Sequence, residues 1–535
     1  MANTFKKGID RQMWVSSAPS PNAHAAASFL VSDLRSDISR NPFIYQVATL
    51  ALLNRYNIIT KSWHFVGTPG MAALAAGGAG VFAPSFGAQG TIASGATTTS
   101  IPLTTALPAA VGVNMLANRG GSGEYGFKIR IIGFTAGKTE ERFIVANTGG
   151  TTPTLRLDNP LTFTPTSSDR YELLAGRVMM LSSGALAAAS WRSLEVGTNA
   201  FTNLTNTNLP ATVATDSHLV CLDEQYTPYD CNPGEGFIKG TFQYDNNVST
   251  RMALSATAAA AGTITGQASV GDAAVVANEY RNFQIRIVQD TTTPAAVGQR
   301  RMIASHTAGP SAVYTLGTNW TTTPSASAKF VIEYPNLILA RSSATNVVYT
   351  YNYTDATINN ATNSIAANAW SATYFGNAPA VHAAGVMWMP SFGIRPDAAK
   401  NSRHSFIYCW RGTAATLDLL DIAGGTTGAW TGAIVIDGGI TTSAQLSGCS
   451  APFDNEGRMF YLNNYVASTV NQIFRFDVQN RVLSPYTPTD EIQAGTGAVG
   501  NRVACYVALD GNDTYDVVFL QSHLSTRTQE LIPLV

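Results

Sequence analysis

What this sequence most lacks is charge. Asp, Glu, Lys and Arg make up only 13% of its 535 residues, against about 25% in an average soluble chain. The 33 basic and 34 acidic side chains leave a formal net charge of -1, which argues against an electrostatic grip on nucleic acid or an anionic membrane. Cysteine is scarce too: Cys221, Cys231, Cys409, Cys449 and Cys505 are scattered, with no Cys-x-x-Cys and no His at zinc-ligand spacing, so reduced structural thiols are expected. Only Cys221 and Cys231 are close enough in sequence to invite pairing, and free thiols are preferred for them as well. Long apolar runs are missing. The most apolar stretch, 70–83, is rich in Ala and Gly and falls short of the roughly 18 to 20 residues that span a bilayer. No apolar h-region follows Met1–Lys7, so no secretory signal is visible and a soluble protein without membrane insertion is expected.

Catalytic signatures are equally thin. The chain has no Gly-x-Ser-x-Gly elbow, Walker loop or His-Glu-x-x-His, and no two of its seven histidines lie within five residues of each other. Carboxylates cluster at Asp223-Glu224, Asp454-Asn-Glu456 and Asp510-Gly-Asn-Asp513. A glycosidase needs two carboxylates flanking one bond, but Asx-capped polar turns account for each cluster. The run from Asp510 to Asp516 lacks the sixth-position glycine and distal glutamate of a calcium loop and reads as a hairpin turn. Glycine runs at 77–80 and 120–123 are not set between a strand and a helix, so phosphate binding is not supported. No catalytic, cofactor or metal-ligating residue is assigned, no cofactor is expected, and the chain reads as a non-enzyme.

What the sequence does have is Thr, Ala, Asn, Ser and 46 Gly, with 45% hydrophobic residues, a composition of short strands and many turns. It also has an internal repeat. Phe127-Lys-Ile-Arg-Ile131 recurs as Phe283-Gln-Ile-Arg-Ile287, Arg142-Phe-Ile144 as Arg301-Met-Ile303, and Phe163-Thr-Pro165 as Thr322-Thr-Pro324, in the same order. Each copy follows a Gly-Thr-Ile and ends in an aromatic-acidic strand, Tyr171-Glu172 or Phe330-Val-Ile-Glu333. Alternation such as Phe-x-Ile-x-Ile places apolar side chains on one strand face, and turn clusters separate the strands. Each copy therefore reads as a small antiparallel β-sandwich or barrel, over 68–175 and 254–334. Arg130 and Arg286, on the polar side of equivalent strands, are expected to lie on a solvated or salt-bridged strand face rather than to form a ligand pair.

With the copies set aside, a second pattern recurs: an apolar strand, then a strand, a polar turn and a bulky apolar residue. It appears at Arg55–Trp63, Ser193–Phe201, Thr350–Ile358, Leu420–Trp430 and Arg475–Leu483, with a less regular unit from Tyr515 to Leu534. The pattern resembles kelch-like β-propeller blades, in which the aromatic packs between blades. The resemblance implies an all-β, propeller-like scaffold of about six blades, discontinuous over 43–67, 176–253 and 335–535, with the two β-domains inserted. An irregular stack of β-sandwiches is the competing architecture. Ahead of it, an arm over 1–42 is expected to carry a short helix, because Phe29, Leu30, Leu34 and Ile38 fall near one helical face ahead of Asn41-Pro42.

The repeated segments carry a further resemblance. Tyr280–Ile287, Gly298–Ile303, Thr315-Leu316 and Trp320–Pro324 look like a module that recurs in structural proteins of tailed bacteriophages; the two copies cover about 190 residues. The first copy departs from it, with Lys138-Thr-Glu-Glu141 where the second has Gly298-Gln-Arg300. The resemblance implies a homo-oligomeric structural component of a bacteriophage virion, assembled in the host cytoplasm and placed in the tail, neck or nozzle. Its implied partners are copies of itself and other virion proteins, with a host-surface glycan as a further candidate and no specific nucleic acid binding. A receptor-binding or glycan-degrading virion protein, a capsid decoration protein and a non-viral surface lectin are the alternatives.

Overall fold

The structure, a computed structural model, describes residues 12–22, 29–32, 43–48, 52–104, 112–117, 127–222, 254–267, 276–388, 406–411 and 416–435, apart from short stretches within them, and the strands between 459 and 533. The described residues form antiparallel β-structure throughout, with no α-helix and one 3-10 turn at Pro294–Ala296.

The expected N-terminal helix is not there. Phe29–Ser32 is a strand whose residues pair with Phe43–Val47 in the register Phe29↔Val47 to Ser32↔Ile44. Three consecutive apolar residues, Phe29, Leu30 and Val31, are buried, as in a strand covered on both faces; a helix would turn one of them to solvent. Leu34 and Ile38 lie outside the described residues.

Among the described residues, five sheets have four strands and one has three. Most follow chain order. One joins Phe29–Ser32, Phe43–Val47, Leu53–Asn57 and Ser62–Gly67; another joins Ala79–Ala83, Arg177–Leu181, Trp191–Glu195 and Ala200–Asn203. The next contains His218–Cys221, Leu337–Arg341, Tyr349–Asn352 and Ala369–Ser371, followed by Met387–Trp388, Phe406–Trp410, Thr416–Asp421 and Ala429–Val435. Met459–Val466, Val470–Asp477 and Val482–Pro485 make the three-stranded sheet. In the last, Arg502–Val507, Asp516–Gln521 and Thr528–Pro533 are completed by Gln12–Ser16 from the other end of the chain.

The recurring bulky residues occupy one register position. Trp63 faces Tyr56, Phe201 faces Leu194, Trp430 faces Leu420 and Leu483 faces Phe476 across the last strand pair of their sheets. In the third unit the position is taken by Trp370, opposite Tyr351, and not by Ile358. Ile358 belongs to a short hairpin with Ser364–Ile365 that interrupts the unit.

Apart from that hairpin and the short pairing of Gly184–Ala185 with Thr212–Val213, the remaining described strands make two barrels. In the second, Leu254–Ala260, Thr263–Gln267, Gln284–Gln289, Arg300–His306, Ser311–Leu316 and Lys329–Glu333 form a closed ring: the first strand pairs with the sixth, then third, fourth, fifth and second, which returns to the first. In the first, Gln89–Thr91, Ser100–Pro102, Lys128–Gly133, Lys138–Asn147, Thr154–Leu157 and Arg170–Leu173 pair in that same order. An Ile92↔Leu103 bridge joins its ends. The repeat in sequence is thus a repeat in topology. Ile129 and Ile131, and likewise Ile285 and Ile287, are fully buried in the two barrel cores.

Each barrel leaves the scaffold between the first two strands of a sheet: the first between Ala79–Ala83 and Arg177–Leu181, the second between His218–Cys221 and Leu337–Arg341. Their cores run on into those sheets. Phe82, Val178 and Leu194 pack with the first barrel, and Leu337, Ile407 and Leu420 with the second.

Candidate functional site at the junction of the barrels

The hairpins that connect the third and fourth strands of the two barrels cross. The Asp290 amide donates to the Gly137 carbonyl at 2.8 Å, and Lys138 pairs with Gln289, so the barrels share one continuous twelve-stranded sheet. The approach requires glycine at Gly137. Its φ is +64°, and a Cβ there would sit 2.2 Å from the Asp290 carbonyl oxygen, a conformation and a distance that exclude other side chains.

Beside this crossing lies a buried ladder of charge. Arg130 and Arg286 are both buried and both ion-paired, which selects the salt-bridged strand face and excludes the solvated one. Glu141 stands opposite Arg130 across one strand pair and Glu172 opposite it across the other. Arg130 donates from Nε to Glu141 Oε1 at 3.0 Å and from Nη1 to Glu172 Oε2 at 2.8 Å. Lys128 Nζ reaches Glu141 Oε2 at 3.3 Å. From the second barrel, Arg300 clasps Glu172 with two parallel bonds, Nη1 to Oε1 and Nη2 to Oε2, each 3.1 Å. Arg286 is held by both oxygens of Glu333.

Burial by itself pushes Glu141 upward, but Lys128, Arg130 and Arg286 outweigh it and hold its carboxyl at about 2. Burial likewise opposes ionisation of Glu172, and Arg300 and Arg130 overcome it, keeping the carboxyl well below the ordinary range. Both carboxylates therefore stay ionised at any physiological pH. Fork-to-carboxylate geometry of this kind is specific in direction as well as strong.

Next to the ladder a cleft of about 260 Å³ opens where both barrels meet the turn after Tyr349–Asn352; Arg170, Glu172, Arg300 and Asp355 are among its walls. Its rim pair, Arg170 and Asp355, is half-exposed at 3.7 Å and contributes little to holding it.

Of the side chains weighed in the sequence, Asp223, Glu224, Asp454, Glu456, Asp510 and Asp513 lie outside the described residues, as do His24, His382, His404, His523 and Cys231. Cys409 is a buried free thiol, and burial pushes it up to about 11, where it is a poor nucleophile. His306 is a packing residue: its ring stacks on Tyr280, Nε2 accepts from the Tyr280 amide at 2.8 Å, and Nδ1 faces the Thr307 carbonyl at 2.9 Å. Among the described residues no three His, Cys, Asp or Glu side chains are grouped to hold a metal ion. What the sequence reading missed was the partnership of Arg130 with Glu141, Glu172 and Arg300. The signal was present, since Glu141 and Arg300 occupy the same place in the two copies with opposite charge.

No family model and no curated protein matches the chain. Among solved structures, Sqt1 of Saccharomyces cerevisiae aligns over 97% of this chain and 100% of its own, at 8% identity and a TM-score of 0.27. An auxiliary nutrient binding protein from Bacteroides ovatus aligns over 82% and 95%, at 10% identity and a TM-score of 0.25. One from Bacteroides thetaiotaomicron aligns over 82% and 96%, at 8% identity and 0.22. Likeness this low assigns neither a fold nor a role.

Proposed function

We propose that the chain is a non-enzymatic structural component of a bacteriophage virion, an assembly protein of the tail, neck or nozzle that works through oligomeric β-rich interfaces. The observation that carries this reading is how the repeated module is used. Both copies are barrels of one strand order, and the polar strand faces that could have formed a ligand pair are taken up by ion pairs, within each barrel and, through Arg300 and Glu172, between the two. The titratable groups gathered there neutralise one another, as in an interface and unlike a catalytic centre, where perturbed groups stay poised to react.

In this reading the six sheets are blades of a propeller-like scaffold from which the barrels project. Three features support it. First strands of successive sheets lie side by side: Phe29–Ser32 with Ala79–Ala83, Ala79–Ala83 with His218–Cys221, and His218–Cys221 with Met387–Trp388, while Arg502–Val507 neighbours Phe29–Ser32. Trp191 of one sheet packs against both Tyr351 and Trp370 of the next, at ring distances of 5.2 and 5.0 Å. Gln12–Ser16 closes the last sheet onto the start of the chain. A ring with few exposed strand edges makes a rigid platform, and faces poor in charge suit large interfaces because little must be desolvated.

The test is the mass of the purified protein by light scattering at near-physiological salt, together with immunodetection in gradient-purified phage particles from a host carrying the gene. A defined closed oligomer and co-sedimentation with particles are expected. A monomer that is absent from particles and that binds or cleaves a glycan would overturn the reading.

A further inference from the structure

We propose that Glu141 and Glu172 of the first barrel and Arg286 and Arg300 of the second form a charge key that makes docking of the two barrels exclusive, so that each barrel fits the other and not a copy of itself. The register of the repeat carries the argument. Arg130 and Arg286 are equivalent, on the same strand of each barrel. Across one neighbour Arg130 meets Glu141, whereas Arg286 meets Arg300. Across the other, Arg130 meets Glu172 and Arg286 meets Val331. The first barrel thus holds two carboxylates where the second holds a guanidinium and a valine.

Taken alone, the second barrel sets two guanidiniums directly opposite each other, an arrangement that destabilises a strand pair, with Glu333 as the carboxylate on Arg286. Docking relieves this. Arg300 closes on Glu172 of the first barrel, and Glu141 feels the field of Arg286 as well as of its own Lys128 and Arg130. A pair of first barrels would oppose carboxylate to carboxylate, and a pair of second barrels would set Arg300 against Val331. Like charges in the first pairing, and a guanidinium set against an apolar side chain in the second, both reject wrong partners. In an assembly of many copies, such a key would keep barrels of neighbouring chains from exchanging or pairing out of register.

Hydrogen exchange of the full chain, resolved to the Asp290 amide, tests the idea, because that amide donates across the barrel junction to Gly137. Glu172→Gln and Arg300→Gln should each speed its exchange by about tenfold or more, within the range of coupling seen for close interfacial charge pairs. The double variant should be little worse than the more severe single one, with the amides of Ile129 and Ile285 protected as in the parent. A second variant, Arg300→Glu, gives the second barrel the first barrel's residue at the equivalent place; it sets a carboxylate against Glu172 while removing the guanidinium opposite Arg286, and should open the junction and leave both barrels folded. Parent-like exchange at Asp290 in these variants, or fully additive effects of Glu172→Gln and Arg300→Gln, would overturn the proposal. Loss of protection through both barrels at once would also overturn it, since the ladder would then hold up the barrels and not their pairing.

Discussion

The Tyr56 hydroxyl donates a 2.6 Å hydrogen bond to Oε1 of Glu530, a residue 474 positions away. Lys61 takes the other carboxylate oxygen at 2.6 Å. Tyr56 lies in the sheet built from Phe29–Gly67, and Glu530 in the strand that pairs with Gln12–Ser16, so this contact ties the start of the scaffold to its end. Burial, and then Glu530, keep the phenol protonated far above its usual range. Tyr56→Phe or Glu530→Gln should lower stability by about 1.5–3 kcal/mol, the range for a hydrogen bond to a charged group. Urea unfolding midpoints will show it, and an unchanged midpoint in both variants would mean that the contact does not hold the ends together.

Gly137→Ala puts a methyl group against the Asp290 carbonyl oxygen and an L-residue at φ +64°. The strained backbone costs about 1–3 kcal/mol, and the clash adds displacement of one barrel from the other. The expected result is a lower melting temperature, with new protease cleavage at the hairpins 133–138 and 289–299. By contrast Gly95→Ala, where nothing stands within 4 Å of the added Cβ despite a φ of +85°, should cost only the backbone term.

Burial lowers His306 to about 4, with Arg281 adding to the effect and the Thr307 carbonyl opposing it. The folded state therefore disfavours the imidazolium, whereas the unfolded chain protonates near 6.5. Stability from this site is complete above pH 6.5 and is lost as pH falls through 4. His306→Gln retains an acceptor for the Tyr280 amide and should flatten the acid limb in a series of melts from pH 7 to 4. An acid limb as steep as the parent's would assign the loss to other groups.

Glu195 has the opposite sign. Its carboxylate accepts from the Ala88 amide at 3.1 Å, just ahead of the first barrel's first strand, and lies 3.4 Å from Arg177. Burial outweighs both partners and raises it to about 7. Its contribution is then complete below the ordinary carboxylate value of about 4.5 and is lost as pH rises through 7. Glu195→Gln should remove this limb, so that the difference in melting temperature between variant and parent shifts in the variant's favour from pH 5 to 8. A constant difference over that range would sink the assignment.

Much of the scaffold was legible because its signals are local. Alternation in Phe127–Ile131 and Phe283–Ile287 marks strands by the period of two that a pleated backbone imposes, and the duplicated motifs mark a duplicated topology. The bulky residues at 63, 201, 430 and 483 fell on the last strand of their sheets. Two readings failed where local pattern underdetermines structure. Ile358 and Trp370 both fit an apolar position after Tyr351, and only the interposed hairpin Ile358–Ile365 decides for the tryptophan. Phe29, Leu30 and Val31 suit a helical stripe or a doubly covered strand equally, and pairing with Phe43–Val47 decides between them.

By itself, then, the sequence determined that the chain is rich in β-structure, low in charge and built on a repeat, because composition and side-chain period act within a few residues of each strand. It also recorded the exchange of Glu141 for Arg300 between the copies. Only the tertiary structure decided what that exchange means. Opposite charges attract once they are brought within hydrogen-bonding distance in a site from which water is excluded, and Arg300 and Glu172, 128 positions apart, reach it solely because one barrel docks on the other.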